Sequence, residues 1–156
     1  IFISPGILMN GLRCAKKKKQ VVYRRMNKKI CQKKILLIPL DPVHDVALKI
    51  INRKLLDRGH QATLLPPDLP IEEIIERASH IDVHYILISR TLGYGVAELL
   101  GKFIDMAEAA KLREKAKIVL GGKAVTPQLA AELGFDKGFG AGTNFEEIIT
   151  FIEKKK

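Results

Sequence analysis

Several features that would mark a membrane-spanning or disulfide-bonded protein are missing from this sequence. It has no tryptophan and only two cysteines, and no apolar run reaches the roughly 18 residues that indicate a membrane span. Cys14 and Cys31 have neither a CxxC spacing nor a metal-ligand neighbour, which favours reduced thiols over a disulfide framework. We therefore expect a cytoplasmic protein without membrane association.

Acidic residues are absent from residues 1–34, which hold eleven of the 27 basic residues. Residues 35–156 therefore carry 16 basic and 17 acidic residues, a net charge of −1. We expect residues 1–34 to be a basic tail that is disordered or foreign to the functional unit, and residues 26–156 to fold without residues 1–25. Any nucleic-acid binding by this tail would be non-specific.

From residue 35 onward, short apolar runs alternate with segments of helical periodicity. Strands are predicted at residues 35–40, 61–65, 83–89, 117–120 and 138–140, and helices at residues 45–58, 71–79, 95–112, 127–133 and 145–154. This α/β alternation predicts a flavodoxin-like, doubly wound sheet of five parallel strands in the order 2-1-3-4-5, in three layers, over residues 35–156.

Ligands of such sheets bind beyond the carboxyl ends of the strands, so the loops there decide the function. His44 follows the first strand at the start of a helix, between Asp41 and Asp45. The helix dipole disfavours a protonated imidazole at this position, and a transition metal binds the neutral form with a carboxylate behind it. Taken alone, however, the pattern favours a capping or merely exposed histidine.

Small and glycine residues follow three further strands. They are Ser89, Thr91 and Gly93 after strand 3 (with Leu92 between the last two), Gly121 and Gly122 after strand 4, and Gly140, Gly142 and Thr143 after strand 5. Neither a Walker A loop nor GxGxxG is present, and each loop alone could be an ordinary tight turn. Together they indicate a bulky planar or elongated ligand that lies over this edge and partly enters between the strands.

These motifs stand in the order found in a known family. Residues 35–155 resemble the cobalamin (vitamin B12) domain of adenosylcobalamin-dependent mutases, above all the glutamate mutase small subunit and the lysine 5,6- and ornithine 4,5-aminomutases. The resemblance lies in Asp41…His44, Ile88-Ser89-Arg90-Thr91, Val119-Leu120-Gly121-Gly122, Gly134-Phe135-Asp136 and Gly140-Ala141-Gly142-Thr143.

The resemblance implies that His44 replaces the cofactor's own base as the axial ligand of cobalt, with Asp41 or Asp45 bound to its second ring nitrogen. The freed nucleotide tail would enter a slot. Ser89, Thr91, Gly121 and Gly122 would line it, with Gly140, Gly142 and Thr143 near its base and Leu92 and Gly93 also at the cofactor. The sequence departs twice from the family motif Asp-x-His-x-x-Gly: it has Pro42 for the Asp and Ala47 for the Gly.

The resemblance therefore implies a cobalamin-binding subunit, without catalytic residues of its own, that serves a separate mutase or aminomutase subunit and carries adenosylcobalamin rather than methylcobalamin. A homo-oligomer stays open. One alternative is a corrinoid methyl carrier, although such proteins have a further helical domain in front. The other is a flavodoxin-like binding or regulatory module that has lost cobalamin; a phosphorylated receiver would need an Asp where Ser89 stands.

Overall fold

The apolar runs of the sequence become one parallel sheet in the computed structural model, which describes residues 31–154. The strands are β1 (Lys34–Pro39), β2 (Gln61–Leu64), β3 (Tyr85–Ser89), β4 (Lys117–Gly121) and β5 (Lys137–Phe139). Their order is β2-β1-β3-β4-β5, and every neighbouring pair is parallel. The predicted fold class and strand order are confirmed.

Six helices connect or follow the strands in the described residues. They are α1 (Val46–Asp57), α2 (Ile71–His80), α3 (Val96–Ala109), α4 (Leu112–Lys115), α5 (Pro127–Glu132) and α6 (Phe145–Glu153). The single helix predicted over residues 95–112 is wrong at its end. Lys111 adopts a left-handed conformation with φ of 57°, which ends α3 and starts the short α4.

Alternation along the strands distributes the apolar residues between two cores, one on each face of the sheet. In β1, Leu36 and Ile38 join the core under α2, α3, α4 and α5, whereas Ile35 and Leu37 join the core under α1 and α6. Side chains of successive strand residues point to opposite faces, so a strand covered on both sides reads as a continuous apolar run. The core under α1 and α6 is the one that borders the site.

The basic tail predicted over residues 1–34 lies outside the described residues, except for residues 31–34. β1 begins at Lys34, one residue before its predicted start. Cys31 is exposed and forms no disulfide within residues 31–154. Within residues 31–154, every helix is too short or too polar to cross a lipid bilayer.

Candidate cofactor-binding site

Four strands end side by side at the carboxyl edge of the sheet. Pro39 of β1 pairs with Ser89 of β3, which pairs with Gly121 of β4, which in turn pairs with Phe139 of β5. The loops that follow these residues therefore leave the sheet at one level. This register brings the predicted site loops together, as expected for parallel strands.

A cavity of about 230 Å³ lies at this edge, between the sheet and the helices α1 and α6. Seven of the predicted site residues line it: Ala47, Ser89, Gly121, Gly122, Gly140, Gly142 and Thr143. Its remaining walls are mostly apolar and come from Leu48, Ile51, Leu87, Ile88, Val119, Phe139, Ala141, Phe145 and Ile148, with Lys123 as the one charged lining residue. Such a cavity favours a planar apolar group with a few polar contacts.

Gly122 is required where the β4 loop meets the β3 loop. Its φ is +126°, and a Cβ atom there would lie 2.1 Å from the carbonyl oxygen of Arg90. A side chain is therefore excluded both by the backbone conformation and by the space. This close approach holds the loop after β4 against the loop after β3.

Asp41 is fully buried and joins the loop after β1 to the loop after β3. Its Oδ2 accepts a hydrogen bond from the Thr91 N–H at 2.7 Å, and its Oδ1 accepts one from the Leu92 N–H at 3.2 Å. The Arg90 guanidinium lies 3.3 Å from Oδ1. Three donors therefore surround this carboxylate, which can accept about four hydrogen bonds.

His44 lies exposed in the short segment before α1. Within residues 31–154, neither Asp41 nor Asp45 hydrogen-bonds to its ring, because Asp41 binds the β3 loop and Asp45 forms an ion pair with Lys49 at 2.9 Å. His44 therefore offers a free ring nitrogen to a ligand above the edge.

Three predicted cofactor residues of the β3 loop lie outside the cavity, as do Asp41, His44 and Asp45. Thr91, Leu92 and Gly93 form the loop after β3, where Thr91 and Leu92 contribute backbone N–H groups to Asp41. Leu92 is 40% exposed and a Cβ on Gly93 would point into open space. These residues belong to the loop that Asp41 binds and not to the wall of the cavity.

Exposed apolar side chains lie on the loops after β1 and β3 and on the first turn of α1. Val43 is 71% exposed, Val46 67% and Tyr94 94%. Val43 and Val46 lie on either side of His44 in the chain, and Tyr94 follows Leu92 on the loop after β3. Exposed apolar side chains on the loop that carries an exposed imidazole suit a large flat ligand held at its centre by a nitrogen.

The apolar walls were missed in the sequence, although a signal for them exists. Leu87 and Val119 stand two residues before Ser89 and Gly121, so alternation puts them on the same face of the sheet. Leu48 and Ile51 belong to the buried stripe of α1. Phe145 and Ile148 could not be assigned to the cavity in this way, because their position depends on how α6 packs.

No group of three or more His, Cys, Asp or Glu side chains could hold a bare metal ion in residues 31–154. The single imidazole of His44 could supply one ligand to a metal that a macrocycle holds. The cavity, the glycine-lined edge and the exposed imidazole fit such a group. The residues that are present thus suit a corrinoid.

A scan against protein-family models gives the same assignment. Residues 35–149 match the family described as "B12 binding domain". The match spans the five strands, apart from Lys34, and the first five residues of α6. The family resemblance stated from the sequence is confirmed.

Two curated proteins represent the relatives of this chain. The lysine 5,6-aminomutase beta subunit of Fusobacterium nucleatum is 34% identical over 100 residues, which are 63% of this chain and 38% of that protein. Dimethylamine corrinoid protein 1 of Methanosarcina mazei is 28% identical over 96 residues, 60% of this chain and 43% of that protein. The chain spans less than half the length of either relative.

Among solved structures, a cobalamin-binding protein from Desulfitobacterium hafniense DCB-2 has the same fold. The TM-score is 0.66 at 22% identity, and the match covers 78% of this chain and 58% of that chain. At this identity the likeness concerns the fold.

Proposed function

This chain belongs to the B12-binding domain family, and we propose that it is a cobalamin-binding subunit that presents a base-off, His44-ligated cofactor to a separate catalytic subunit. The catalytic subunit would be an adenosylcobalamin-dependent mutase or aminomutase. The observation that carries the proposal is the apolar cavity between α1 and α6, which Ala47 lines three residues after the exposed His44.

The size of the cavity supports the entry of only part of a cobalamin. Its volume of about 230 Å³ is below the roughly 300–1,000 Å³ of pockets that enclose a whole small ligand. The aromatic base at the end of the nucleotide tail would lie between Leu48, Val119 and Ile148. Ser89 and the glycine pair would let the tail pass the edge of the sheet at close range.

The exposed loops would then hold the corrin ring. His44 would donate a lone pair to cobalt, and Val43, Val46 and Leu92 would cover apolar parts of the ring. The bound cofactor supplies homolytic cleavage of the cobalt–carbon bond. The residues of this chain would bind the tail, orient the ring and keep water from its lower face.

The relatives include both aminomutase subunits and corrinoid proteins, and the Fusobacterium nucleatum aminomutase subunit supports the mutase role. Identity is 34% to the aminomutase subunit and 28% to the dimethylamine corrinoid protein. Adenosylcobalamin is accordingly the proposed cofactor form. A corrinoid methyl carrier remains the second candidate, supported by the second of these relatives.

Visible spectroscopy tests the proposal. The full chain is titrated with hydroxocobalamin, adenosylcobalamin and methylcobalamin, and we expect a base-off shift that saturates at one cofactor per chain. Electron paramagnetic resonance of the cobalt(II) form then identifies the axial nitrogen. In uniformly ¹⁵N-labelled protein the axial triplet should become a doublet.

The outcomes separate the candidates. A persistent triplet would assign the axial nitrogen to the cofactor's own base and contradict ligation by His44. Tighter binding of methylcobalamin than of adenosylcobalamin would favour the methyl carrier. A complete lack of spectral change would favour a regulatory module without cobalamin.

A further inference from the structure

We propose that Arg90 is a positioning residue that fixes the His44 loop relative to the cavity, with Asp41 as its intermediary. The inference rests on the proposed function and names a residue outside the cavity lining and outside the ligating loop. It concerns how the His44 loop and the cavity are held at a fixed position relative to each other. The proposed axial ligand, His44, follows β1 in the chain, whereas the glycine pair of the cavity stands at the end of β4.

The side chain of Arg90 binds two loops at once. Its Nη1 donates to the Leu40 carbonyl oxygen at 2.9 Å and lies 3.3 Å from Asp41 Oδ1. Its Nη2 donates to the Tyr94 carbonyl oxygen at 3.1 Å. The guanidinium thereby ties the start of the His44 loop to the loop after β3.

The backbone of Arg90 binds the third loop. Its N–H donates to the Gly121 carbonyl oxygen at 2.9 Å, and its own carbonyl oxygen accepts from the Ala124 N–H at 3.4 Å. Gly122 packs so closely on this residue that a Cβ atom would overlap it. Arg90 is therefore in direct contact with the loops after β1, β3 and β4.

Arginine is the residue that this arrangement requires. A planar guanidinium directs several N–H groups in fixed directions, whereas the lysine ammonium is a single point charge on a flexible stem. The Arg90 side chain is 10% exposed and its Nε has no hydrogen-bond partner within the described residues. A buried ion pair with an unpaired donor is a poor means of adding stability, which favours a role in specifying geometry.

Asp41 consequently acts on His44 through the loop and not through the imidazole. Its two oxygens already accept hydrogen bonds from the N–H groups of Thr91 and Leu92, and the carboxylate forms an ion pair with Arg90. If the carboxylate were the direct partner of the imidazole, replacing Arg90 would leave the axial nitrogen in place. In the arrangement seen here, replacing either residue should displace His44 from cobalt.

The experiment compares Arg90→Met, Arg90→Lys and Asp41→Asn in the full chain, with Arg77→Met as the control. Arg77 forms an exposed ion pair with Glu73 on α2, which belongs to the opposite core. Three quantities are measured for each variant: the dissociation constant of hydroxocobalamin, the axial nitrogen splitting of the ¹⁵N-labelled cobalt(II) form, and amide hydrogen exchange at Thr91 and Leu92 without cofactor.

We expect Arg90→Met and Asp41→Asn to weaken hydroxocobalamin binding by about 10- to 100-fold, as for groups that orient a metal ligand. The doublet from the protein nitrogen should disappear, and the Thr91 and Leu92 amides should exchange faster. Arg90→Lys should recover part of the affinity, because it keeps the charge beside Asp41. If Arg90→Met fails to fold, Arg90→Lys alone decides, with an intermediate loss expected.

Two results would overturn the inference in a protein that binds cobalamin. One is an Arg90 variant that keeps both its affinity within twofold and its nitrogen doublet. The other is a lost doublet in Asp41→Asn with an intact one in Arg90→Met, since Asp41 would then act directly on the ring. If the wild type binds no cobalamin, the proposed function fails, and unchanged amide exchange in Arg90→Met would independently refute the link between loops.

Discussion

The Lys54 ammonium lies 2.7 Å from the Glu146 carboxylate and joins α1 to α6, the two helices that wall the cavity. Arg58 extends this connection, since it pairs with Glu146 as well and with Glu153 at 3.1 Å. The network spans the helices beside their shared core. It therefore contributes to the separation of the two walls between which a ligand would enter.

Replacing Glu146 with Gln should lower the unfolding temperature at neutral pH. The hydrogen bond from Lys54 holds the pKa of the Glu146 carboxyl below its ordinary value of 4.5, against desolvation and with help from Arg58. A carboxyl with a lowered folded-state pKa stabilises the fold above its unfolded value, and this contribution is lost as pH falls through the folded value. The difference between wild type and E146Q should therefore vanish at pH values well below 4.5.

Glu147→Gln is the matched control, because Glu147 lies exposed on the same turn and has no ion pair among the described residues. Thermal unfolding followed by circular dichroism at neutral and acidic pH makes the comparison. Added salt should reduce the E146Q effect, since exposed charges are screened. A pH-independent effect would show that Glu146 acts through packing and not through its charge.

Gly122→Ala should destabilise the protein and weaken corrinoid binding. The positive φ alone costs about 1–3 kcal/mol for a residue with a side chain, and the added Cβ would overlap the Arg90 carbonyl. The free energy of unfolding from denaturant titration measures the first effect, and hydroxocobalamin titration measures the second. Gly101→Ala is the control: Gly101 lies inside α3 in open space, so alanine should stabilise by about 0.5–1 kcal/mol.

The sheet could be predicted because its determinants are local. Runs such as Leu36–Ile38 are apolar at every position, and Gly59 and Pro127 mark helix boundaries at the expected places. The break at Lys111 could not be predicted. A left-handed conformation at a lysine has no sequence signal and depends on the packing of Leu112 against the core.

The site likewise has features that could be predicted from the sequence and features that could not. The small residues at the strand ends were predictable, because register in a parallel sheet follows from the strands themselves. The hydrogen bonds of Asp41 were not, since they link residues 50 and 51 positions apart in the chain. Only the loop geometry shows that this carboxylate binds the β3 loop and leaves the His44 ring free.

His44→Ala should remove axial ligation without affecting the stability of the fold. The side chain is exposed and makes no hydrogen bond within the described residues, so the free energy of unfolding should change by less than about 0.5 kcal/mol. The cobalt(II) form should lose its protein nitrogen splitting. His80→Ala, another exposed histidine but on α2, should retain it; loss of the splitting in both variants would mean that the effect is not specific to His44.

Substitutions at Ala47 should change the affinity for the ligand independently of the stability of the fold. Ala47 lines the cavity, yet its side chain is exposed on the first turn of α1, so a larger residue can be accommodated without disturbing a core. We expect Ala47→Leu to leave the unfolding temperature nearly unchanged and to raise the dissociation constant of hydroxocobalamin at least about tenfold, a loss of about 1.4 kcal/mol.

Ala47→Gly should have the opposite pattern. Glycine lowers helix stability by about 0.8–1.0 kcal/mol relative to alanine, but it removes the methyl group from the path of the ligand and should tighten binding. Thermal unfolding and hydroxocobalamin titration of the same three proteins give both quantities. If affinity instead follows stability across the series, with leucine binding as tightly as alanine and glycine more weakly, the ligand does not pass Ala47 and the cavity is not its entry site.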